Sequence, residues 1–316
     1  MERVLSLLLD GKCHSGEAIS RELGVTRAMI WKHIARLKEA GCLIEALPGQ
    51  GYRLVRPPDF MTQPVLEYCL GDGRPVQAYE ELDSTNQAAK DWAAQGAPAG
   101  ALVTARIQRA GRGRKGRSWQ AEPDAGIAMS LVLRPSAVPG GVQSITLLAA
   151  VAVCLAVEEA SGGDCQIKWP NDVWMGGKKI CGILTEMVTD LEGEMYLVAG
   201  IGINVTQEHF PPELAETATS IWMETGKRIH RASLAASVCH HMDALIACWS
   251  QEGFAPIAGL YRPRMALVGE WVSMTQGDRS QRVRITGVSD QGALEGLDEK
   301  GEPVSIISGE VTVRRM

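Results

Sequence analysis

Between Gln108 and Trp119 the chain reads QRAGRGRKGRSW. Gly111, Gly113 and Gly116 interleave with Arg112, Arg114, Lys115 and Arg117, a pattern that neither a helix nor a regular strand supports, so the stretch is a loop crowded with cationic groups. The rest of the chain has to present that loop, and such a loop holds anions. The string formally matches the dinucleotide fingerprint G-x-G-x-x-G, but that fingerprint must open a helix, and Pro123 follows Gly116 within seven residues. The G-K-[ST] ending of a P-loop is also missing. The bland alternative is a solvated charge run, but a loop of that kind gains nothing from glycines set between its charges.

Ahead of this loop lies a sequence with helix-turn-helix spacing. Arg3 to Leu9 predicts a short helix ended by Gly11, and Ser15 caps a second helix in which Ile19 and Leu23 share a face. Gly24 supplies the turn, and Thr26 caps a third helix running to Ala40 and stopped by Gly41. Ile30, Ile34 and Leu37 form its apolar stripe, leaving Thr26, Arg27, Trp31, Lys32 and Arg36 to face phosphates or base edges. Two short strands around Pro48-Gly49-Gln50-Gly51 make a wing. Residues 1–56 carry nine basic against six acidic side chains, while the whole chain has a net charge of −5, so a basic head sits on an acidic body. A helical module for protein contacts is the competing reading. Turn, wing and charge together favour DNA.

Arg56-Pro57-Pro58-Asp59 reads as a linker. Beyond it, strand-like runs begin near Val76, Ala101, Ile127, Ile167, Ile180 and Tyr196, with helical patterns at Thr85 to Ala94, Gln143 to Ala160 and Arg231 to Trp249. From Val268 onward short alternating strands separated by glycine turns predict a small β-barrel. The fold class expected is therefore α/β and multidomain. It comprises a winged helix-turn-helix (1–58), a central mixed α/β domain (59–266) and a small C-terminal SH3-like β-barrel (267–316). Ile145 to Val157 is apolar but too short to span a bilayer, and predicts a buried helix. No charged-then-apolar leader precedes the head, and the eight cysteines form no C-x-x-C pair, which predicts reduced thiols in the cytoplasm and no membrane association.

Three strand ends turn polar abruptly: Lys168-Trp169-Pro170-Asn171-Asp172, Lys178-Lys179-Ile180-Cys181-Gly182, and Gly200-Ile201-Gly202-Ile203-Asn204. Singly, Asp172 could be a turn residue, Lys179 an edge lysine and Gly202 a bulge. Three such ends in one chain point to a site. Cys239-His240-His241 is no metal site, because neighbouring helical residues point in different directions.

These segments, with Asp83-Ser84-Thr85-Asn86, resemble the biotin protein ligases, and the winged head makes the likeness closest to the bifunctional ligases that also repress biotin operons. The resemblance implies that biotin and ATP, with Mg²⁺, form biotinyl-5′-AMP, and that a lysine of a biotin carboxyl carrier protein then takes the biotin. It assigns biotin contacts to Ser84, Thr85, Asn86, Gln108, Arg112, Gly113, Arg114 and Lys179. Gly111, Lys115, Gly116, Arg117, Trp119 and Asn204 go to the adenylate, with Gly202 shaping the pocket. The catalytic groups it implies are Arg114, Lys179 and Asp172, the last orienting or deprotonating the incoming lysine, with no protein-held metal. It also implies operator DNA as a partner of the head. Because one winged head covers one half-site, a homodimer is expected. Lys115 stands where arginine is frequent, and Cys181 where a smaller residue is usual. The alternatives are a lipoate protein ligase and a biotin-sensing transcription factor without catalysis; the presence of both Asp172 and Lys179 favours retained chemistry.

Overall fold

The computed structural model describes residues 2–39, 41–120, 122–134, 142–189, 195–276, 279–306 and 311–315. The head consists of α1 (Glu2–Leu8), α2 (Gly16–Leu23), α3 (Arg27–Glu39) and an antiparallel hairpin, β1 (Leu43–Leu47) with β2 (Gly51–Arg56). Ser15 Oγ accepts from the Ala18 amide at 3.0 Å, and Gly24 closes α2 at φ 66°. Ile30, Ile34 and Leu37 are buried against Val4, Leu8 and Ile19 and against Ile44 and Leu54 of the wing. That shared apolar cluster makes helices and wing one unit. Ala40, expected as the last helical residue, lies outside the described residues.

The segment expected to be an open linker is instead docked. Pro57 and Pro58 are buried, and His230 Nε2 lies 3.1 Å and 3.0 Å from their carbonyl oxygens. His230 Nδ1 accepts from the Ser233 amide at 3.2 Å, so the ring proton sits on Nε2 and is donated to the prolines. Asp59 accepts from the backbone amide and Nε of Arg231, which is only 4% exposed. Prolines bring no N–H donors, so they can be buried without leaving one unsatisfied, and a carboxylate suits the unpaired amides of a helix start.

The body runs α4 (Gln63–Leu70), β3 (Val76–Leu82), α5 (Thr85–Ala94), β4 (Leu102–Gln108), β5 (Gly126–Leu133), α6 (Val142–Ser161), β6 (Gln166–Lys168), β7 (Asp172–Met175), β8 (Lys178–Thr189) and β9 (Met195–Asn204). Then come α7 (Pro212–Ala215), α8 (Ile221–Thr225), α9 (Arg231–Glu252) and α10 (Ala255–Tyr261). Its seven strands lie in the order β3-β4-β5-β9-β8-β7-β6, parallel between β3 and β4 and antiparallel elsewhere. Helices α6 and α9 pack together and share one apolar cluster with the sheet. From Leu147 to Cys154 every residue of α6 is 0% exposed. The apolar run lies within the helix expected over Gln143 to Ala160, which is 20 residues long, sufficient in length and composition to cross a bilayer yet mostly buried inside the protein. Helix α5 lies on another part of the sheet, where Ala89 and Ala93 meet Val103, Val132 and Val198.

The C-terminal strands are β10 (Trp271–Gln276), β11 (Arg279–Val288), β12 (Leu294–Leu297), β13 (Pro303–Ile306) and β14 (Val311–Arg315). They form an antiparallel sheet in the order β13-β12-β11-β10-β14, open between β13 and β14 among the described residues. Val272, Met274, Val283 and Ile285 join the apolar cluster of the body, and Trp169 Nε1 donates to the Gly292 carbonyl at 3.3 Å. Of the strands expected beyond Val268, the runs Val304 to Ile307 and Glu310 to Arg314 include Ile307 and Glu310, which lie outside the described residues.

Candidate active site

The glycine-arginine loop leaves β4 at Gln108 and folds into a narrow hairpin. At its base the Arg109 and Ala110 amides donate to the carbonyls of Leu82 (3.0 Å) and Asp83 (2.9 Å). Higher up, the Trp119 amide donates to Gly111 at 2.8 Å and the Gly113 amide to Arg117 at 2.7 Å. The tip turns tightly at Arg114–Gly116, with Lys115 at φ 58° and Gly116 at φ 70°. A Cβ on Gly111 would stand 2.3 Å from the Trp119 carbonyl oxygen, so the hairpin requires glycine there. The side chains of Arg112, Lys115 and Arg117 are exposed, whereas Arg114 turns inward and donates Nη1 to Asn171 Oδ1 at 3.1 Å.

Trp119 lies across the sheet. A Cβ on Gly202 of β9 would meet its indole at 2.3 Å, and one on Gly182 of β8 at 3.1 Å; these two glycines are register partners. The indole therefore rests on a floor with no side chains. Its Nε1 is buried with no hydrogen-bond partner among the described residues. Lys179 Nζ stands 5.7 Å from the indole ring centroid and 2.6 Å from Asp172 Oδ1. Asn171 Nδ2 donates to the same Asp172 oxygen at 3.2 Å and to the Ile183 carbonyl at 3.2 Å. Loop, lysine and carboxylate thus meet beside a cis Trp169–Pro170 peptide.

A second polar group lies at the start of α5, where Ser84 holds the N-cap position. The Thr85 amide donates to Gln108 Oε1 at 2.8 Å, and Ser84, Thr85 and Asn86 are all buried. Asn86 turns inward, donating Nδ2 to the Leu184 carbonyl at 3.2 Å and to Glu186 Oε2 at 2.8 Å. It fits only because residue 200 is glycine, whose absent Cβ would stand 2.0 Å from Asn86 Oδ1.

The sequence-selected residues therefore divide. Arg114, Asp172, Lys179, Trp119 and Gly202 meet around the indole, and Thr85 meets Gln108 at the start of α5. Asn204 was grouped with the loop, but it is buried beneath, its Nδ2 donating to the Thr219 carbonyl at 3.1 Å and its Oδ1 lying 3.3 Å from Gln207 Nε2. Cys181 is fully buried, and burial pushes its thiol well above the ordinary range although Lys179 pulls the other way, so it is an inert packing group. Asn171, Ser130 and Glu186 were not singled out from sequence; Asn171 at least could have been, standing between Pro170 and Asp172. His240 contacts the Leu70 carbonyl and His241 contacts Glu159, each at 2.9 Å. In the head, Thr26, Arg27, Lys32 and Arg36 are exposed, and Trp31 is 65% exposed.

Comparison with known proteins adds three family matches: the Biotin/lipoate A/B protein ligase family over residues 79–204, an HTH domain over 1–53, and the Biotin protein ligase C terminal domain over 268–314. The chain is 36% identical over 292 residues to the bifunctional ligase/repressor BirA of Bacillus subtilis, covering 91% of this chain and 87% of that protein. With the Escherichia coli protein of the same name it is 29% identical over 314 residues, covering 99% and 96%. Among solved structures, the biotin protein ligase of Aquifex aeolicus in complex with biotin and ATP superposes with a TM-score of 0.70 at 30% identity, covering 77% of this chain and 99% of that one.

Proposed function

The chain belongs to the biotin protein ligase family, in the group that joins ligase and repressor in one polypeptide, and from that premise we propose how its residues divide the work. It is an ATP-dependent biotin ligase with a helix-turn-helix repressor head, and the lipoate alternative is not favoured. In the ligase reaction a biotin carboxylate oxygen attacks the α-phosphorus of ATP, pyrophosphate leaves, and biotinyl-5′-AMP results. A lysine amine of a biotin carboxyl carrier protein then attacks the acyl carbon, AMP leaves, and the amine surrenders a proton.

Joining a carboxylate to a polyphosphate brings like charges together, and Arg112, Arg114 and Lys179 are assigned to offset that repulsion. Ser84, Thr85 and Gln108 take the ureido ring, which offers both donors and a carbonyl acceptor. Asn86 supports them from beneath, and the Gly113 backbone lines the approach. Gly111, Lys115, Gly116, Arg117 and Trp119 cover the adenylate and keep water from the mixed anhydride, with Asn204 holding the strand end below. Asp172 receives the proton of the incoming lysine. This assignment is carried by one observation above all: Lys179 pairs with Asp172 at 2.6 Å while lying 5.7 Å from the Trp119 ring centroid, so one cation can serve phosphate and carboxylate in turn.

Mg²⁺ is proposed to enter with the ATP phosphates. Among the described residues no group of three or more His, Cys, Asp or Glu side chains is placed to hold a metal ion, and the roles assigned above are those of the protein's own side chains. For the head, the exposed Thr26, Arg27, Trp31, Lys32 and Arg36 are assigned to one operator half-site, which calls for a homodimer. Cysteines without disulfide partners support a cytoplasmic setting. The division into 1–58, 59–266 and 267–316, and closure of the last part as an SH3-like barrel, belong to the same reading.

The deciding experiment is mass spectrometry of a biotin carboxyl carrier domain incubated with this protein, Mg-ATP and either biotin or lipoate. The expected result is a gain of one biotin less one water, dependent on ATP and absent with Arg114→Ala. Modification by lipoate alone overturns the reading. Biotin binding without transfer makes the chain a sensor.

A further inference from the structure

Glu186 lies on β8 outside every group assigned above, yet it ends a hydrogen-bond chain that reaches Thr85 and Gln108. Its Oε1 is 2.9 Å from Lys90 Nζ, and its Oε2 accepts from Asn86 Nδ2 at 2.8 Å. The second Asn86 Nδ2 proton goes to the Leu184 carbonyl at 3.2 Å. Both amide protons are thereby spent on oxygens that only accept, which fixes which way the Asn86 amide faces. Asn86 Oδ1 must then point at Ser130 Oγ, 2.6 Å away and fully buried.

A hydroxyl has one proton. An amide oxygen cannot donate, so Ser130 gives its one proton to Asn86 and has none for Thr85 Oγ1, 2.8 Å away. Thr85 Oγ1 also lies 3.1 Å from Gln108 Oε1, the longer of its two hydroxyl contacts. Whether its own proton goes to Gln108 Oε1 or to Ser130, Thr85 keeps a lone pair for an incoming N–H, because Ser130 does not donate to it. The Thr85 amide meanwhile holds Gln108 Oε1 at 2.8 Å, which makes Nε2 the donor end of that side chain.

We propose that Glu186 is a positioning residue for substrate recognition: acting through Asn86 and Ser130, it sets the direction of the hydrogen-bond chain so that Thr85 presents an acceptor and Gln108 a donor, the complement of a cyclic urea. The inference rests on the biotin-ligase reading and adds to it a residue that touches no substrate. A carboxylate suits the role because, when ionised, it can only accept, so the chain cannot reverse.

The test is steady-state kinetics of biotin transfer by the full-length protein, with biotin and ATP varied separately. Glu186→Leu removes the terminal acceptor, and the expected result is a rise of about tenfold in KM for biotin, with kcat and KM for ATP little moved. Glu186→Gln keeps an oxygen that can accept from Asn86, and is expected to recover most of that loss. Ser130→Ala cuts the chain with minimal change of volume, and is expected to reproduce the biotin effect if Glu186→Leu folds poorly. A biotin KM unchanged in Ser130→Ala and Glu186→Leu overturns the proposal, as does Glu186→Gln matching Glu186→Leu, or parallel losses in biotin KM, ATP KM and kcat. A wild-type chain that transfers no biotin overturns the underlying reading as well.

Discussion

Arg231 donates its backbone amide to one carboxylate oxygen of Asp59 at 2.7 Å and its Nε to the other at 3.0 Å. The two residues are 172 apart in the chain, one following the paired prolines and the other opening α9. Arg231 Nη2 also lies 3.9 Å from Asp124 Oδ1, just before β5. A single buried guanidinium therefore joins the end of the head, the start of a core helix and the segment that returns from the cationic loop.

Asp59→Ala leaves that guanidinium without its main partner, and unfolding in urea should show a loss of about 3 kcal/mol. Arg231→Met removes the charge along with the pair and should cost less. The reverse ranking would show that Arg231 matters through its packed stem rather than its charge.

Asp172→Asn and Arg114→Ala should separate the two half-reactions. With Asp172→Asn, biotin-dependent pyrophosphate exchange should persist while transfer to the carrier falls about 10²- to 10⁴-fold. With Arg114→Ala, exchange itself should fall about 10²-fold or more. Equal damage to both half-reactions by Asp172→Asn would remove its assignment as proton acceptor.

Gly202→Ala places a methyl group where the Trp119 indole lies, at 2.3 Å. The indole belongs to the returning arm of the hairpin, paired with Gly111, so stability should drop by about 1–3 kcal/mol while the cover assigned to Trp119 lifts. The expected outcome is AMP formation in excess of biotin transferred, measured by chromatography of the reaction. Tight coupling between the two would mean that Trp119 does not exclude water.

Burial alone would raise the Glu186 carboxyl, but hydrogen bonds from Lys90 and Asn86 and the charges of Lys90 and Arg112 outweigh it and hold the group below its ordinary 4.5. A carboxyl depressed in the folded state contributes its stability in full above the ordinary value. That contribution fades as pH falls through 4.5 toward the folded-state value, because the unfolded chain takes the proton first. Unfolding free energies measured from about pH 6 to about pH 3 should fall less steeply in Glu186→Gln than in wild type. A steeper fall would contradict the assigned partners.

In the head, Lys32→Ala and Arg36→Ala should each flatten the dependence of operator affinity on salt by about one phosphate contact, a change of about 0.9 in the logarithmic slope. Filter binding at several salt concentrations measures this, and biotin transfer by the same proteins should be unchanged.

Much of this is legible in the sequence. Ser15, Gly24 and the Ile30-Ile34-Leu37 stripe specify the head because capping and helical spacing are local, and the alternation of glycine with arginine specifies the loop for the same reason. β7 was read only as the polar end of its neighbour, since Asp172–Met175 is four residues long and too short to show a period. Helix α4 escaped notice although Pro64 near its start and Gly71 at its end are helix signals. The inward turn of Asn86 and the burial of Asn204 depend on partners far along the chain, Glu186 and Thr219, which no local pattern announces. The proline pair misled for a physical reason: residues that break helices in open linkers are also the ones that can be buried without an amide to satisfy.

The docking of Pro57 and Pro58 has a mechanical consequence. Tyr68 of α4 packs against the apolar cluster of the head, so the joint is gripped from two sides. In the proposed homodimer two heads mounted this way would act as a ruler, with the distance between them set by the bodies and not by the reach of a flexible strap. Inserting half a helical turn, about 5 base pairs, between operator half-sites would place the second one on the far side of the duplex, where a head mounted in this way has no slack to follow.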